Sequence, residues 1–140
     1  MNDPSSHAAF LELDRAECER LLASRQVGRL AVVIDGAPQI VPVNYATPGG
    51  AVIVFRTAAG TVITEASLRA VAFEVDEVDV ATHSGWSVEV RGFGRDIGDA
   101  LDSESVRLRQ LPVVAWVPGD RQQWFKIVPD VVTGRRLTPA

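Results

Sequence analysis

The sequence predicts a mainly β fold, a small antiparallel barrel with two or three short peripheral helices. Three observations lead there. Short runs rich in Val, Ile, Phe and Trp recur along the chain, and the longest of them alternates apolar and polar residues with period two. Turn signals built on Gly, Pro and Asp separate these runs at regular intervals. The helical stretches are too few and too short to act as the crossovers that a parallel sheet requires. A barrel of this size with open edges would pair with a second copy to cover them.

Each element follows from local chemistry. Residues 1–9 read as a loose tail and 10–140 as a single domain, long enough for a real core. Asp14 and Glu17 form an Asp-x-x-Glu cap, and Cys18, Leu21 and Leu22 give the helix behind it an apolar stripe. Gly28 follows, then a strand from Arg29 to Ile34. Asp35-Gly36 is a tight-turn signal leading into a return strand, Gln39 to Tyr45. Pro42 cannot donate to a ladder, so this strand is an edge or carries a bulge. Pro48-Gly49-Gly50 turns the chain into a third strand, Val52 to Phe55, followed by Arg56. Thr61, after Gly60, is expected to cap a short helix reaching Leu68. Val71 to Val75 is the next strand, and Asp76-Glu77-Val78-Asp79 opens an acidic loop that includes His83. Ser84 to Ile97 reads as one long strand, with Trp86, Val88 and Val90 on one face and room for a bulge at Gly92 or Gly94. Asp102 caps a short helix carrying Val106, Leu108 and Leu111, closed by Pro112. Val113 to Val117 is strand or extended loop, and Gln123–Val128 and Val131–Arg135 are the last two strands.

Composition narrows the function. The formal net charge of −4 argues against a nucleic-acid partner, whose binding rests on neutralising phosphates. A single cysteine, Cys18, excludes an intrachain disulfide and a cysteine metal cluster. No apolar run is long enough to span a bilayer, and the polar start Met1 to His7 lacks the basic region of a secretory leader, so a cytoplasmic location with no membrane partner is expected. No catalytic triad is positioned, since His7 lies in the tail and His83 in the acidic loop. The spacing of His83 with Asp76, Glu77 and Asp79 matches no metal loop, so no metal is expected.

The stretch Val52 to Ala66 organises the rest. It reads as strand, Gly loop and helix start, and the N–H groups and dipole at a helix start favour an anion. Arg56 and Thr57 just before it, with Thr61, would add a guanidinium and hydroxyls suited to a phosphate. The plainer alternative is a solvated strand-end charge and an ordinary cap. One hairpin is expected to bring Val43 and Asn44 beside Phe55 and Arg56. Trp86 and Trp124 either flank a flat ligand or anchor a core or dimer interface. Together these residues describe a surface for a phosphorylated flat cofactor.

The chain resembles the pyridoxamine 5′-phosphate oxidase-like proteins of the FMN-binding split-barrel fold, in particular the short bacterial members. The likeness runs from about Leu13 to Leu137 and is carried by Val27-Gly28-Arg29-Leu30-Ala31, Pro42-Val43-Asn44-Tyr45, Phe55-Arg56-Thr57-Ala58-Ala59-Gly60-Thr61, Val71 to Asp76, Ser84 to Gly92 and Gly134-Arg135-Arg136. It implies an FMN-dependent oxidoreductase acting on a small molecule, a homodimer with the cofactor at the interface. In that arrangement the main chain at Val43 and Asn44 meets the flavin ring, and Arg56, Thr57 and Thr61 hold the phosphate. Trp86 and Ser87 lie by the ring or ribityl chain, and Trp124 approaches from the second protomer. Many relatives carry Lys after the Gly-Thr pair where this chain has Val62, which removes a cation from the phosphate site. A deazaflavin cofactor on the same fold, or a non-catalytic dimeric protein binding a flavin or other flat ligand, are the alternatives.

Overall fold

A computed structural model describes residues 9–58, 67–113 and 122–139. Among these residues seven strands and two helices follow in the order β1 (Ala9–Glu12), α1 (Arg15–Ala23), β2 (Val27–Ile34), β3 (Ala37–Ala46), β4 (Ile53–Ala58), β5 (Ala70–Asp79), β6 (Ser84–Asp96), α2 (Ser103–Leu108) and β7 (Gln122–Thr138). The strands form one antiparallel sheet ordered β1-β7-β4-β3-β2-β5-β6, and a further β6–β7 pairing closes it into a barrel.

Local signals place the helices. The Asp14 carboxylate accepts from the Glu17 N–H at 2.8 Å and starts α1, and Cys18, Leu21 and Leu22 are its buried face. Asp102 does the same for α2 through the Ser105 N–H at 3.0 Å. Asp35 and Gly36 both take positive φ, the geometry of a two-residue hairpin, and join β2 to β3 in the register Ile34↔Ala37. Pro42 is tolerated because β3 meets β4 only at Tyr45↔Phe55 and Ala46↔Val54, so among the described residues its Pro42 stretch has β2 alone as partner.

The core fills by alternation. Leu30 and Val32, Val43 and Tyr45, Ile53 and Phe55, Phe73 and Val75, Val88 and Val90, and Phe125 and Ile127 point inward from their strands and form one buried cluster with α1. Gly28 leaves room for Phe73, whose ring would stand 2.2 Å from a Cβ there. A second, smaller cluster lies on the outer face of β4, where Val54 packs against Ile97 and Leu108. Arg109 holds this flap by donating to the Ile97 and Ala100 carbonyls.

Four expectations need correction. Asp76 to Asp79 are not a loop: they continue β5 and pair with Ser84 to Ser87 in a long hairpin. Their charges are tolerated in a strand because Arg29 and Arg25 reach across from β2 and the chain before it to pair with Asp76 and Glu77. The last two strands are one, since Pro129-Asp130 makes a bulge rather than a turn. Gly92 pairs with Pro129 and Arg91 with Val131, which leaves Asp130 as the extra residue. The bulge switches the inward parity of β7 from Phe125 and Ile127 to Val132. The expected helix after Thr61 lies mostly outside the described residues, but its end does not reach Leu68, where Ser67 bridges Gly94 and Leu68 has φ 60°. Finally, Ala9 belongs to β1 rather than to a tail, paired with Thr138 on the free side of β7.

Candidate functional site

Arg56 is the centre of the site. Alternation on β4 turns Ile53, Phe55 and Thr57 toward the barrel interior and Val54 and Arg56 toward the outer flap. β7 pairs Arg56 with Trp124, and the guanidinium lies over the indole at 4.8 Å from the ring centre. Arg56 Nη1 donates to the Val113 carbonyl at 3.1 Å, while its Nε is buried without a hydrogen-bond partner among the described residues. An unsatisfied buried donor is rare and calls for a partner.

Val113 forms part of the wall of a cavity of about 390 Å³, together with Arg25, Gln26, Asn44, Tyr45 and Thr47. Tyr45 builds this wall. Its phenol donates to the Leu22 carbonyl, and its N–H donates to the Gln26 carbonyl at 2.9 Å. These two bonds clamp the segment leaving α1 onto β3 and thereby fix Arg25. Burial pushes the Tyr45 phenol pKa up, so it stays a protonated donor.

Arg25 lies over the Trp86 ring at 5.4 Å from its centre and forms an ion pair with Glu77. Its Nε, like that of Arg56, is buried and unpartnered. The sequence reading missed this residue. Its only signal there was position, a lone arginine between a helix end and a strand.

The eight expected site residues divide as follows. Asn44 lines the cavity, and the β3–β4 register places it one step beyond the Tyr45↔Phe55 pair, toward Arg56. Val43 turns its side chain into the core at 7% exposure and offers the site only its main chain. Arg56 and Trp124 are in contact. Thr57 is 5% exposed and faces away from Arg56, so the two side chains do not meet on one face of β4. Thr61 and the neighbouring Val62 lie outside the described residues. Trp86 and Ser87 border a different cavity, about 500 Å³, walled by Phe10, Val78 and Val80 and rimmed by Asp76, His83 and Arg135. Among the described residues, Trp86 reaches the Asn44 cavity through Arg25.

Glu74 also borders that second cavity. Arg29 Nη1 stands 3.1 Å from both the Glu74 and Asp76 carboxylates. Burial, and then the neighbouring Asp76 carboxylate, push Glu74 up to about 7 from an ordinary value of 4.5, with Arg29 opposing them. A carboxyl raised in this way favours folding while protonated. Its contribution is complete below pH 4.5 and is lost as pH rises through about 7. Glu74→Gln is therefore expected to flatten the pH dependence of the melting temperature across this window; thermal melts from pH 4.5 to 8 check it, and an unchanged profile would assign the proton elsewhere.

Among the described residues no group of three His, Cys, Asp or Glu side chains is placed to hold a metal ion, and no helix is long and apolar enough to cross a membrane.

Comparison with known proteins follows the same outline. The family model described as pyridoxamine 5′-phosphate oxidase matches residues 14–136. The uncharacterized protein Rv0080 of Mycobacterium tuberculosis is 36% identical over 139 residues, covering 96% of this chain and 90% of that protein. Among solved structures, an FAD binding protein from Mycobacterium smegmatis is 32% identical with a TM-score of 0.76, covering 90% of this chain and 98% of that one. An FAD-binding protein from Mesorhizobium loti is 26% identical with a TM-score of 0.75, covering 94% and 99%.

Proposed function

The chain belongs to the pyridoxamine 5′-phosphate oxidase family, and from that premise we propose that it binds a flavin nucleotide beside Arg56 and Asn44 and works as a homodimeric flavin-dependent oxidoreductase on a small molecule. The observation that carries this reading is the Arg56 guanidinium, placed over Trp124 with a buried Nε that has no hydrogen-bond partner among the described residues. A planar fork in that position suits a phosphate oxygen. The similar proteins from M. smegmatis and M. loti are FAD-binding proteins, which supports a flavin here.

The donor set fits such a ligand. Arg56 would take the phosphate, with its guanidinium supported by the Trp124 ring 4.8 Å away. The β3 main chain at Val43 and Asn44 would meet the ring edge, stiffened by Val43 and Tyr45 in the core. Bound flavin supplies the electron chemistry. The chain's own part is to orient the ring and exclude water from one side of it. Trp86 and Ser87 border another cavity, so their expected place by the ring is best met from the second protomer. The exposed Phe10, Val78 and Val80 around them are apolar surface that such a dimer would cover.

A non-catalytic flavin-binding protein is the second reading. It is favoured by the cavity wall, which includes neither histidine nor carboxylate among the described residues, and by Tyr45, whose hydroxyl is committed to Leu22. Titration with FMN, FAD and a deazaflavin cofactor, followed by flavin fluorescence and by sedimentation, tests the proposal. Saturable micromolar binding by a dimer is expected. A monomer that quenches none of the three would end the flavin reading, and binding without reductant-dependent turnover would favour the second.

A further inference from the structure

We propose that the cavity beside Trp86 binds a small zwitterion with an apolar side group, the class to which the apolar α-amino acids belong. The side group lies in a trough over Gly85. The ammonium meets Glu74 and Asp76 on one side, and the carboxylate meets Arg135 on the other. The site itself needs no flavin. Trp86 and Ser87 are also where the flavin reading above places the partner's ring, and on that reading this ligand is the class of the small-molecule substrate.

The strand register builds the trough. Val78, Gly85, Leu137 and Phe10 stand side by side across β5, β6, β7 and β1, and paired residues of neighbouring strands share a face. Gly85 has no side chain, so the middle of this apolar row is open. Val80 and Trp86 complete the walls of a cavity of about 500 Å³, a volume suited to a small molecule. The next row on the same face is polar and runs Asp76, Ser87, Arg135. All three border the cavity.

Both ends of the polar row carry charge that the described residues leave unmatched. On β5, Glu74 and Asp76 share one cation, with Arg29 Nη1 at 3.1 Å from each. Two ionised carboxylates against one guanidinium leave one negative charge. On β7, Arg135 forms no ion pair among the described residues, although Glu12 faces it in register from β1, and it lies over the Phe10 ring at 5.5 Å. Its neighbour Arg136, in contrast, is paired with Glu17. Two strand spacings, roughly 10 Å, separate the main chain at Asp76 from that at Arg135, with Ser87 between them. A head group carrying both signs satisfies both ends. A simple cation or a simple anion satisfies one end and meets a like charge at the other.

Glu74 gives the site a pH signature. It faces Arg29 from β2, Asp76 on its own strand and Glu89 in register from β6, and Glu89 is itself paired with Arg91. Asp79, His83 and Arg135 are the other charged or titratable groups on the rim. Burial and the Asp76 carboxylate push Glu74 up to about 7, so an ammonium placed there competes with its proton. Binding should tighten as pH rises through about 7 and should release a proton.

Isothermal titration of the full chain with L-phenylalanine, phenethylamine and hydrocinnamate, above pH 7 where Glu74 is ionised, tests this. Phenylalanine is expected to bind saturably. Phenethylamine lacks the carboxylate and hydrocinnamate the ammonium, and each should bind at least about tenfold more weakly. Arg135→Gln should lower phenylalanine to the level of phenethylamine and leave phenethylamine unchanged. Glu74→Gln should weaken phenylalanine and phenethylamine alike, spare hydrocinnamate and remove the pH dependence. The comparison of the three probes needs no variant, so it stands whatever thermal melts show of the variants' folding. Equal affinity for phenylalanine and either single-charge probe overturns the two-sided head. No saturable heat and no change in tryptophan fluorescence with phenylalanine overturns the site, and either result leaves the flavin reading, which rests on Arg56, standing. Phenylalanine binding by a protein that takes no flavin upholds the site and removes its role as a substrate site.

Discussion

Arg56→Ala is expected to weaken flavin binding at least tenfold, about 1.4 kcal/mol. A charge-assisted hydrogen bond to a phosphate contributes about 1.5–3 kcal/mol, so loss of one bond already meets that figure. The effect is expected on every flavin that carries the proximal phosphate. Arg56→Lys should restore little of it. A lysine supplies a point charge but neither the fork nor the flat face that rests on Trp124. Alanine also leaves the Val113 carbonyl without its donor, so each variant's melting temperature must accompany its dissociation constant. Flavin affinity unchanged in a folded Arg56→Ala protein would move the phosphate to another part of the molecule.

The parts of this fold legible in the sequence are those decided within a few residues. Asp14 and Asp102 cap their helices as their spacing predicts, Asp35-Gly36 makes the hairpin turn, and the alternation at Trp86, Val88 and Val90 sets the inner face of β6. What was misread depends on distant partners. Asp76 to Asp79 look like a loop until Arg25, Arg29 and the Ser84–Ser87 ladder are beside them. Pro129-Asp130 looks like a turn because a bulge has no local signature distinct from one; only the β6 partner decides between them.

The site divides in the same way. Arg56, Asn44 and Trp124 could be singled out because their neighbours in sequence suggest a phosphate and a ring. Their relation could not, since side-chain alternation places Thr57 inside the barrel and the β4–β7 register alone sets Trp124 beneath Arg56. Arg25 carries no motif. Its place follows from Tyr45, twenty positions along the chain, whose two hydrogen bonds fix the segment before β2.

Gly92→Ala should be the most damaging of the small substitutions. A Cβ at this position would stand 1.9 Å from the Val128 carbonyl oxygen and 3.1 Å from the Pro129 Cα. Both are backbone atoms at the bulge, so no side chain can swing aside to relieve the contact. Relief requires β6 and β7 to separate where the register shifts between Arg91 and Gly92. That seam is the closure of the barrel, and β7 changes inward parity across it. Displacement there would disturb the packing of Ile127 on one side and Val132 on the other. Overpacking a tight site costs roughly 1–3 kcal/mol, and a clash against backbone belongs at the upper end, near 3 kcal/mol. For a chain of this length that corresponds to a melting temperature lower by roughly 10 °C. Gly36→Ala provides the contrast: its φ of +78° strains any side chain, but no atom lies within 4 Å of the new Cβ, so the smaller loss is expected there. Equal melting temperatures for the two variants would mean that the seam opens easily, and that the bulge at Asp130 is not what fixes the closure of the barrel.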